Sequence, residues 1–538
     1  MDIFTEEERK ILQPFFTNLD KPVFVLVNLP EVVKGALFAR YSRSPKSLRR
    51  VLLEEFILNP EMNFTQVAAM EEKVLFQKFI ATKKAEEFYE RVLIGFGDDS
   101  VAELAGVHLA CEDVSQLIAA KALEDNRIGI SPLEKSTRYV FFDQKENGKY
   151  KYYRDPDIMQ SDFDNLYEET LNFLFDTYSE MIQPMTEFIQ TKYPKTDDVS
   201  ERAYQSATRA KVCDILRQLL PAATLTNVGL FGNGRAFEYL LNKMYASPLA
   251  EIRNLAFMIQ EELDKVIPSF VKRAKTEHGK AMQEYIKQTE EAMWKLSKIE
   301  GKPKRVWIEL VDYDVDAEEK VIASILYPYS SLSLNQIRER VRAMSLQEKK
   351  RILEEYASRR KVRQHKIGRA FENAYYTFDI LAPLGAFKDL QRHRILTQQR
   401  QLITTDYGFD MPKEIVEVGL EKKYKKAMEE AKKAFNKVRE KMPLQAQYIV
   451  PLGFKVRWYV KLNLRELSHL TELRSSPQGH EYYRKIAQYM ALKVREIHPL
   501  LAEHATKFVD LKDYHLERLE AEKRIDEKIK KLKKDQVM

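Results

Sequence analysis

Cysteine is almost missing from this chain, with two in 538 residues, Cys111 and Cys213. They stand far apart with no Cys-x-x-Cys spacing, which excludes a disulfide framework and a cysteine-rich zinc site and predicts two small core residues. No metal is expected. Long apolar runs are also lacking: none approaches the ~18 residues of a membrane helix. The start, MDIFTEEERK, is acidic where a secretory signal would be basic and then apolar, so the expectation is a cytoplasmic protein with no membrane partner. No Gly-x-Gly-x-x-Gly or Walker loop occurs, and the short Gly232-Asn233-Gly234 is no substitute. Charge of one sign is modest: 88 Lys and Arg against 81 Asp and Glu leave +7, too little to indicate a nucleic-acid partner. The basic stretch RRKVRQHKIGR from Arg359 has only its charge to suggest one.

What is present is a long internal repeat. Leu220-Pro221 is followed by Asn233-Gly234-Arg235, and Val450-Pro451 by Asn463-Leu464-Arg465, all at an offset of 230. Upstream, Glu103 opens ELAGVHLACEDVSQLIAAKAL and Glu372 opens ENAYYTFDILAPLGAFKDLQ; each reads as a strand followed by a helix. Ala374, Tyr376, Phe378 and Ile380 alternate with Tyr375, Thr377 and Asp379, a strand period, and Pro383 suits a first helical position. In the earlier stretch Asp113 is placed to cap a helix carrying Leu117, Ile118 and Leu123. Each copy opens with an apolar strand, VFVLVNL from Val23 and RVWIELV from Arg305.

The expected fold is α+β: two tandem copies of a helix-rich domain with a small, mainly antiparallel sheet. The first copy covers 1–300, with a helical insertion at about 163–191 and a basic helical linker at about 271–300. The second covers 301–510, and 511–538 forms a charged C-terminal helix or tail. Amphipathic patterns at Tyr424–Val438 and Tyr482–Ile497 predict helices.

The candidate site begins at QRHRILTQQRQLITTDY from Gln391, where Arg392, His393 and Arg394 fall at the end of a predicted helix. Cations there complement the helix dipole by ~0.3–1 kcal/mol. They also make an anion cradle, with guanidiniums forking onto phosphate and an imidazole to stack or donate. Arg465 and His469 are spaced i, i+4 and share a helix face.

Taken with PLGFKVRWYVKLNLRELSHLTELR, these residues resemble the flavin-dependent thymidylate synthase family. Its signature is Arg-His-Arg, then about seven residues on a Ser, with Glu two before it and Arg-Tyr after. The second copy keeps the start of the signature but has Arg400, Leu402 and Thr404 at its end. The first copy reverses this: RIGISPLEKSTRY keeps Glu134, Ser136, Arg138 and Tyr139, while LEDNR leaves only Arg127 of the triplet. Downstream the second copy has Arg457, Asn463, Arg465 and Arg474, with His469 where an asparagine is usual. The first has Asn233 and Arg235 but Asn227 and Met244 at the arginine positions.

The resemblance implies reductive methylation of dUMP to dTMP with methylene-tetrahydrofolate as carbon donor, bound FAD as hydride carrier and NADPH as reductant. It assigns Arg474 to polarising the uracil, and Glu134, Ser136, Arg138, Arg392 and Arg457 to the nucleotide. Arg392, His393, Arg394, Asn463, Arg465 and His469 fall to the flavin. The reciprocal losses imply a composite site shared by the two copies, with a homodimer imitating the family's homotetramer. The same losses also suit a non-catalytic relative that binds FAD or a nucleotide as sensor or scaffold.

Overall fold

The computed structural model describes residues 3–22, 24–29, 31, 33–34, 37–38, 44, 46–58, 103–116, 118–125, 128–297, 299 and 301–535. Nine strands occur among them: β1 (Gly106–Ser115), β2 (Ile130–Glu134), β3 (Lys145–Glu146), β4 (Lys149–Tyr150), β5 (Leu225–Asn233), β6 (Ile308–Tyr313), β7 (Tyr375–Pro383), β8 (Leu396–Arg400) and β9 (Lys455–Asn463). The rest is mainly helix, so the class is α+β. The chain forms two compact units. One comprises Met1–Val114, Ile118–Lys135 and Thr226–Glu300, the other Ser115–Leu117, Ser136–Leu225 and Gly301–Met538.

The first unit holds β2 and nearly all of β1 and β5 in a three-stranded sheet of order β1-β5-β2. Helices Gly234–Tyr245 and Ala250–Asp264 pack on each other, and Phe237, Leu240, Leu241, Leu255 and Ile259 are buried. The expected opening strand is not formed. Of Val23–Leu29, Val23 lies outside the described residues, and Leu26 makes only an isolated bridge to Phe16. Its apolar content is used locally: the Phe24 ring meets Phe16 edge-on at 5.3 Å and carries the Arg49 guanidinium 3.7 Å above it. Asp113 does not cap a helix either, because β1 runs past it to Ser115 with Asp113 at φ +52°.

In the second unit the sheet order is β6-β7-β9-β8, with each neighbouring pair antiparallel. Val456, Trp458, Val460 and Leu462 turn one face of β9 inward, the period of two expected of a half-buried strand. Pro383 ends β7 and precedes the helix Leu384–Leu390, one residue before the helical position expected for it. The insertion is a helix, Asp164–Lys192, whose Leu171, Leu174, Phe175, Tyr178 and Met181 are buried. It lies against Glu201–Leu216 and Glu421–Arg439. The C-terminal segment forms the helix Leu519–Asp535, docked on Glu201–Leu216 through Arg202, which bonds Glu522 and Asp526.

The repeat is preserved in strand register. Ile130 pairs with Gly232 and Glu134 with Val228; Leu396 pairs with Leu462 and Arg400 with Trp458. Shifting β2 by 266 and β5 by 230 converts the first pairs into the second. Within the second unit the two proline turns are joined reciprocally. The Ala222 amide donates to Val450 O and the Leu452 amide to Leu220 O, while Ala223 donates to Tyr448 O and Gly453 to Gln218 O. Each bond maps onto its mate under the 230-residue offset, so Pro221 and Pro451 meet about a local two-fold. Cys111 and Cys213 are buried and unpaired, as expected of core residues.

Candidate active site

The helix Leu384–Leu390 stops just before the cationic triplet, and the backbone turns there so that His393 points inward and is buried. Arg474, the last residue of the helix Leu464–Arg474, places Nε 3.0 Å from His393 Nε2. A guanidinium N–H can only donate, so His393 Nε2 accepts and its proton sits on Nδ1, 2.8 Å from Glu466 Oε1. Burial, then the charges of Arg474 and Lys366, hold the His393 pKa well below its ordinary value. Burial likewise pushes Glu466 up to about 7, against the pull of His469, Lys366, Arg465 and Arg474. Arg474 is depressed by burial, with Tyr483 and Asp389 opposing that and Arg392 and Arg138 adding to it.

Arg138, from the earlier repeat, reaches the same region. Its guanidinium forks onto Asp214 at 2.7 and 2.6 Å, and Nη1 donates to the Tyr483 hydroxyl at 2.7 Å. The Tyr483 ring has the Arg138 guanidinium carbon 5.5 Å from its centroid and that of Arg474 at 5.6 Å. One ring therefore links an arginine of each repeat. Ser136 Oγ accepts from the Arg138 amide at 3.2 Å, setting the turn that aims the arginine. Arg217 is 0% exposed. Its Nη2 lies 3.0 Å from Asp389 Oδ2, while Nε and Nη1 meet no acceptor among the described residues. Burial would raise Asp389, but Arg217, Arg138, Lys388 and Arg474 together bring it far below the carboxylate range.

Three of the residues expected on the flavin side, Asn463, Arg465 and His469, gather at a neighbouring cavity of about 150 Å³ that Arg363, Lys366 and Glu466 also line; Arg392, His393 and Arg394 do not line it. Asn463 caps the helix, its Oδ1 accepting from the Glu466 amide at 2.9 Å. Arg465 donates to Ile367 O and to Glu372 Oε1, and Lys366 Nζ donates to His469 Nδ1 at 2.6 Å. Burial lowers His469 to about 4, so this imidazole is neutral. Arg392 is half-buried and Arg394 exposed on the turn beside His393.

Other expected residues are not brought together here. Arg457 sits on the outward face of β9, bonded to Asp379 at 3.0 Å and to Lys304 O. Glu134 belongs to the first unit, where it pairs with Lys121 at 3.3 Å. Arg127 lies outside the described residues. Arg217, Asp214, Tyr483, Lys366 and Glu466 were not anticipated. For Arg217 a signal existed: it stands four positions before Pro221, and the offset of 230 puts Gln447 at the matching place, a further one-sided difference between the copies.

A sequence profile described as "Thymidylate synthase complementing protein" matches residues 53–269 and 309–500. The chain belongs to that family. The two matched segments of the thymidylate synthase complementing family fall on the two repeats, so the tandem organisation is a property of family domains and not of a chance motif. Relatives extend over the full length. The UPF0159 protein of Chlamydia muridarum is 46% identical over 527 residues, 97% of this chain and 98% of that protein. The UPF0159 protein of Chlamydia pneumoniae is 46% identical over 530 residues, with the same coverage. That of Thermoplasma acidophilum is 34% identical over 517 residues, 91% of this chain and 98% of its own. Membership points to a thymidylate-synthase-like enzyme acting on a nucleotide and a folate. No helix among the described residues is long and apolar enough to cross a membrane.

Proposed function

We propose that this chain is a flavin-dependent thymidylate synthase that converts dUMP to dTMP with methylene-tetrahydrofolate and NADPH in the cytoplasm, at one composite site per chain. The observation that carries this reading is the shared Tyr483 ring, with the guanidinium carbon of Arg138 from the earlier repeat 5.5 Å from its centroid and that of Arg474 from the later repeat 5.6 Å. Around it Arg217, 0% exposed, offers the N–H groups of Nε and Nη1, which meet no acceptor among the described residues. A dianionic phosphate is the ligand chemistry such donors suit, and buried N–H groups without an acceptor are costly until one arrives. Arg474 serves the uracil: its planar fork hydrogen-bonds a ring oxygen, drawing charge onto it and enriching the attacking carbon. Ser136 and Arg392 complete the nucleotide cradle, and chains pair as homodimers.

FAD fits the donor set of the neighbouring cavity. Lys366, Arg363 and Arg465 suit an anionic diphosphate, and neutral His469 suits a flavin ring edge. When bound, FAD supplies the hydride chemistry; the side chains orient it and exclude water. A second reading, a relative that binds the nucleotide or FAD without turnover, is favoured by one observation: Asp214 already occupies the fork of Arg138 that a phosphate would take. Purified protein should be yellow, and with dUMP, methylene-tetrahydrofolate and NADPH it should release the pyrimidine 5-hydrogen and form dTMP. Nucleotide binding without that release supports the second reading. A colourless chain that cannot be reconstituted with FAD contradicts the first, and one that also binds no dUMP contradicts both.

A further inference from the structure

Glu466 has no role in the chemistry just described, yet it is buried at the third position of the helix Leu464–Arg474. A glutamate there ordinarily turns back to the N-cap amide. Glu466 instead reaches across to His393, 73 positions earlier in sequence, at 2.8 Å. The far nitrogen of that imidazole receives Arg474. The three side chains form a directed chain in which each hydrogen bond fixes the next: carboxylate, Nδ1–H, Nε2, guanidinium. The arrangement is one-sided in the repeat, since the 230-residue offset puts Ala236 opposite Glu466 and Met244 opposite Arg474.

We propose that Glu466 is a positioning residue of the nucleotide site: by accepting the His393 Nδ1 proton it selects the tautomer whose Nε2 receives Arg474, and so aims that guanidinium at the pyrimidine. The inference rests on the functional reading above for the role of Arg474. Its alternative state is concrete. A protonated Glu466 is a weaker acceptor, and it can donate to Nδ1; His393 then carries its proton on Nε2, facing Arg474 donor to donor. His393 and Arg474 face Glu466 from one side; Lys366, Arg465 and His469 face it from the cavity. The acid's position near neutrality, about 7, means that this change falls within an ordinary pH range.

The test is dUMP affinity of the flavin-loaded full chain between pH 6 and 8.5, for wild type, Glu466→Gln and Glu466→Ala. The ligand's own phosphate titrates near pH ~6 in every case and cancels in the comparison. Wild type should lose affinity as pH falls through about 7. Glu466→Gln, which keeps an acceptor and cannot ionise, should lose that limb and bind with intermediate affinity. Glu466→Ala should bind about tenfold more weakly across the range. A Glu466→Gln profile superimposable on wild type, or unaltered binding by Glu466→Ala, would overturn the proposal. Should the wild type bind no dUMP, the functional reading fails instead. Nitrogen NMR of the wild-type imidazoles then tests the relay alone, as it does if the variants misfold: His393 protonated on Nδ1 at pH 8.5 supports it, and on Nε2 overturns it.

Discussion

Arg138 and Asp214 form a buried pair whose removal separates architecture from ligand binding. Burial alone would raise Asp214, and Arg138, then His480, outweigh it and leave the folded pKa below the ordinary 3.8. A depressed folded pKa stabilises above the unfolded value and is lost as pH falls through the folded one. Asp214→Asn should therefore cost about 3–5 kcal/mol near neutrality, because it strands a buried guanidinium, and that deficit should shrink in acid. Urea unfolding at pH 7 and pH 3 checks this. Glu466 carries the opposite sign. Its folded pKa, about 7, lies above the ordinary 4.5, so its contribution is full below pH 4.5 and declines as pH rises to 7. Thermal melts should show Glu466→Gln gaining on wild type across that window; melts that track each other throughout would mean Glu466 is not strained. Neither residue was legible in the sequence, since the meaning of a lone aspartate or glutamate depends on partners brought from far along the chain. The triplet and the Asn-x-Arg element were legible because their chemistry is local.

Among the elements, the repeated strands were read with the least loss. An offset visible in Pro221 and Pro451 survives as strand register because moving a β-strand by one residue would reverse its buried face. The strand expected to open the first copy does not form for the converse reason: an apolar run of a few residues is satisfied as well by a local aromatic cluster as by a sheet edge. The charged C-terminal segment also gained a function the sequence did not announce. Glu517 bonds buried Lys211 at 2.8 Å, and Leu516 and Leu519 cover Val199, Ala203 and Tyr204. Its charge pattern belonged to a docked face. Ending the chain after Lys512 should uncover that cluster and leave Lys211 with Glu414 alone, at a cost of about 3–5 kcal/mol. A lowered Tm measures it; an unchanged Tm would mean the helix Leu519–Asp535 is dispensable.

At the scale of the whole molecule, tandem duplication lets each copy discard what the other supplies. The earlier repeat keeps Ser136, Arg138 and Arg217; the later keeps Arg392, His393 and Arg474; the places opposite Arg138, Arg217 and Arg474 hold Thr404, Gln447 and Met244. On the proposed reading that division leaves one nucleotide site per chain. The Arg138 and Arg474 guanidiniums both lie near the Tyr483 ring, and on the proposed reading a single nucleotide draws on both repeats. The decisive measurement is calorimetric titration of dUMP into FAD-loaded protein, repeated with Arg138→Ala and Arg474→Ala. The expected result is one nucleotide per chain, with affinity falling roughly ten- to a hundred-fold in each variant, the loss of a charge-assisted contact. Two nucleotides per chain, or binding indifferent to Arg138, would contradict a site composed from both copies.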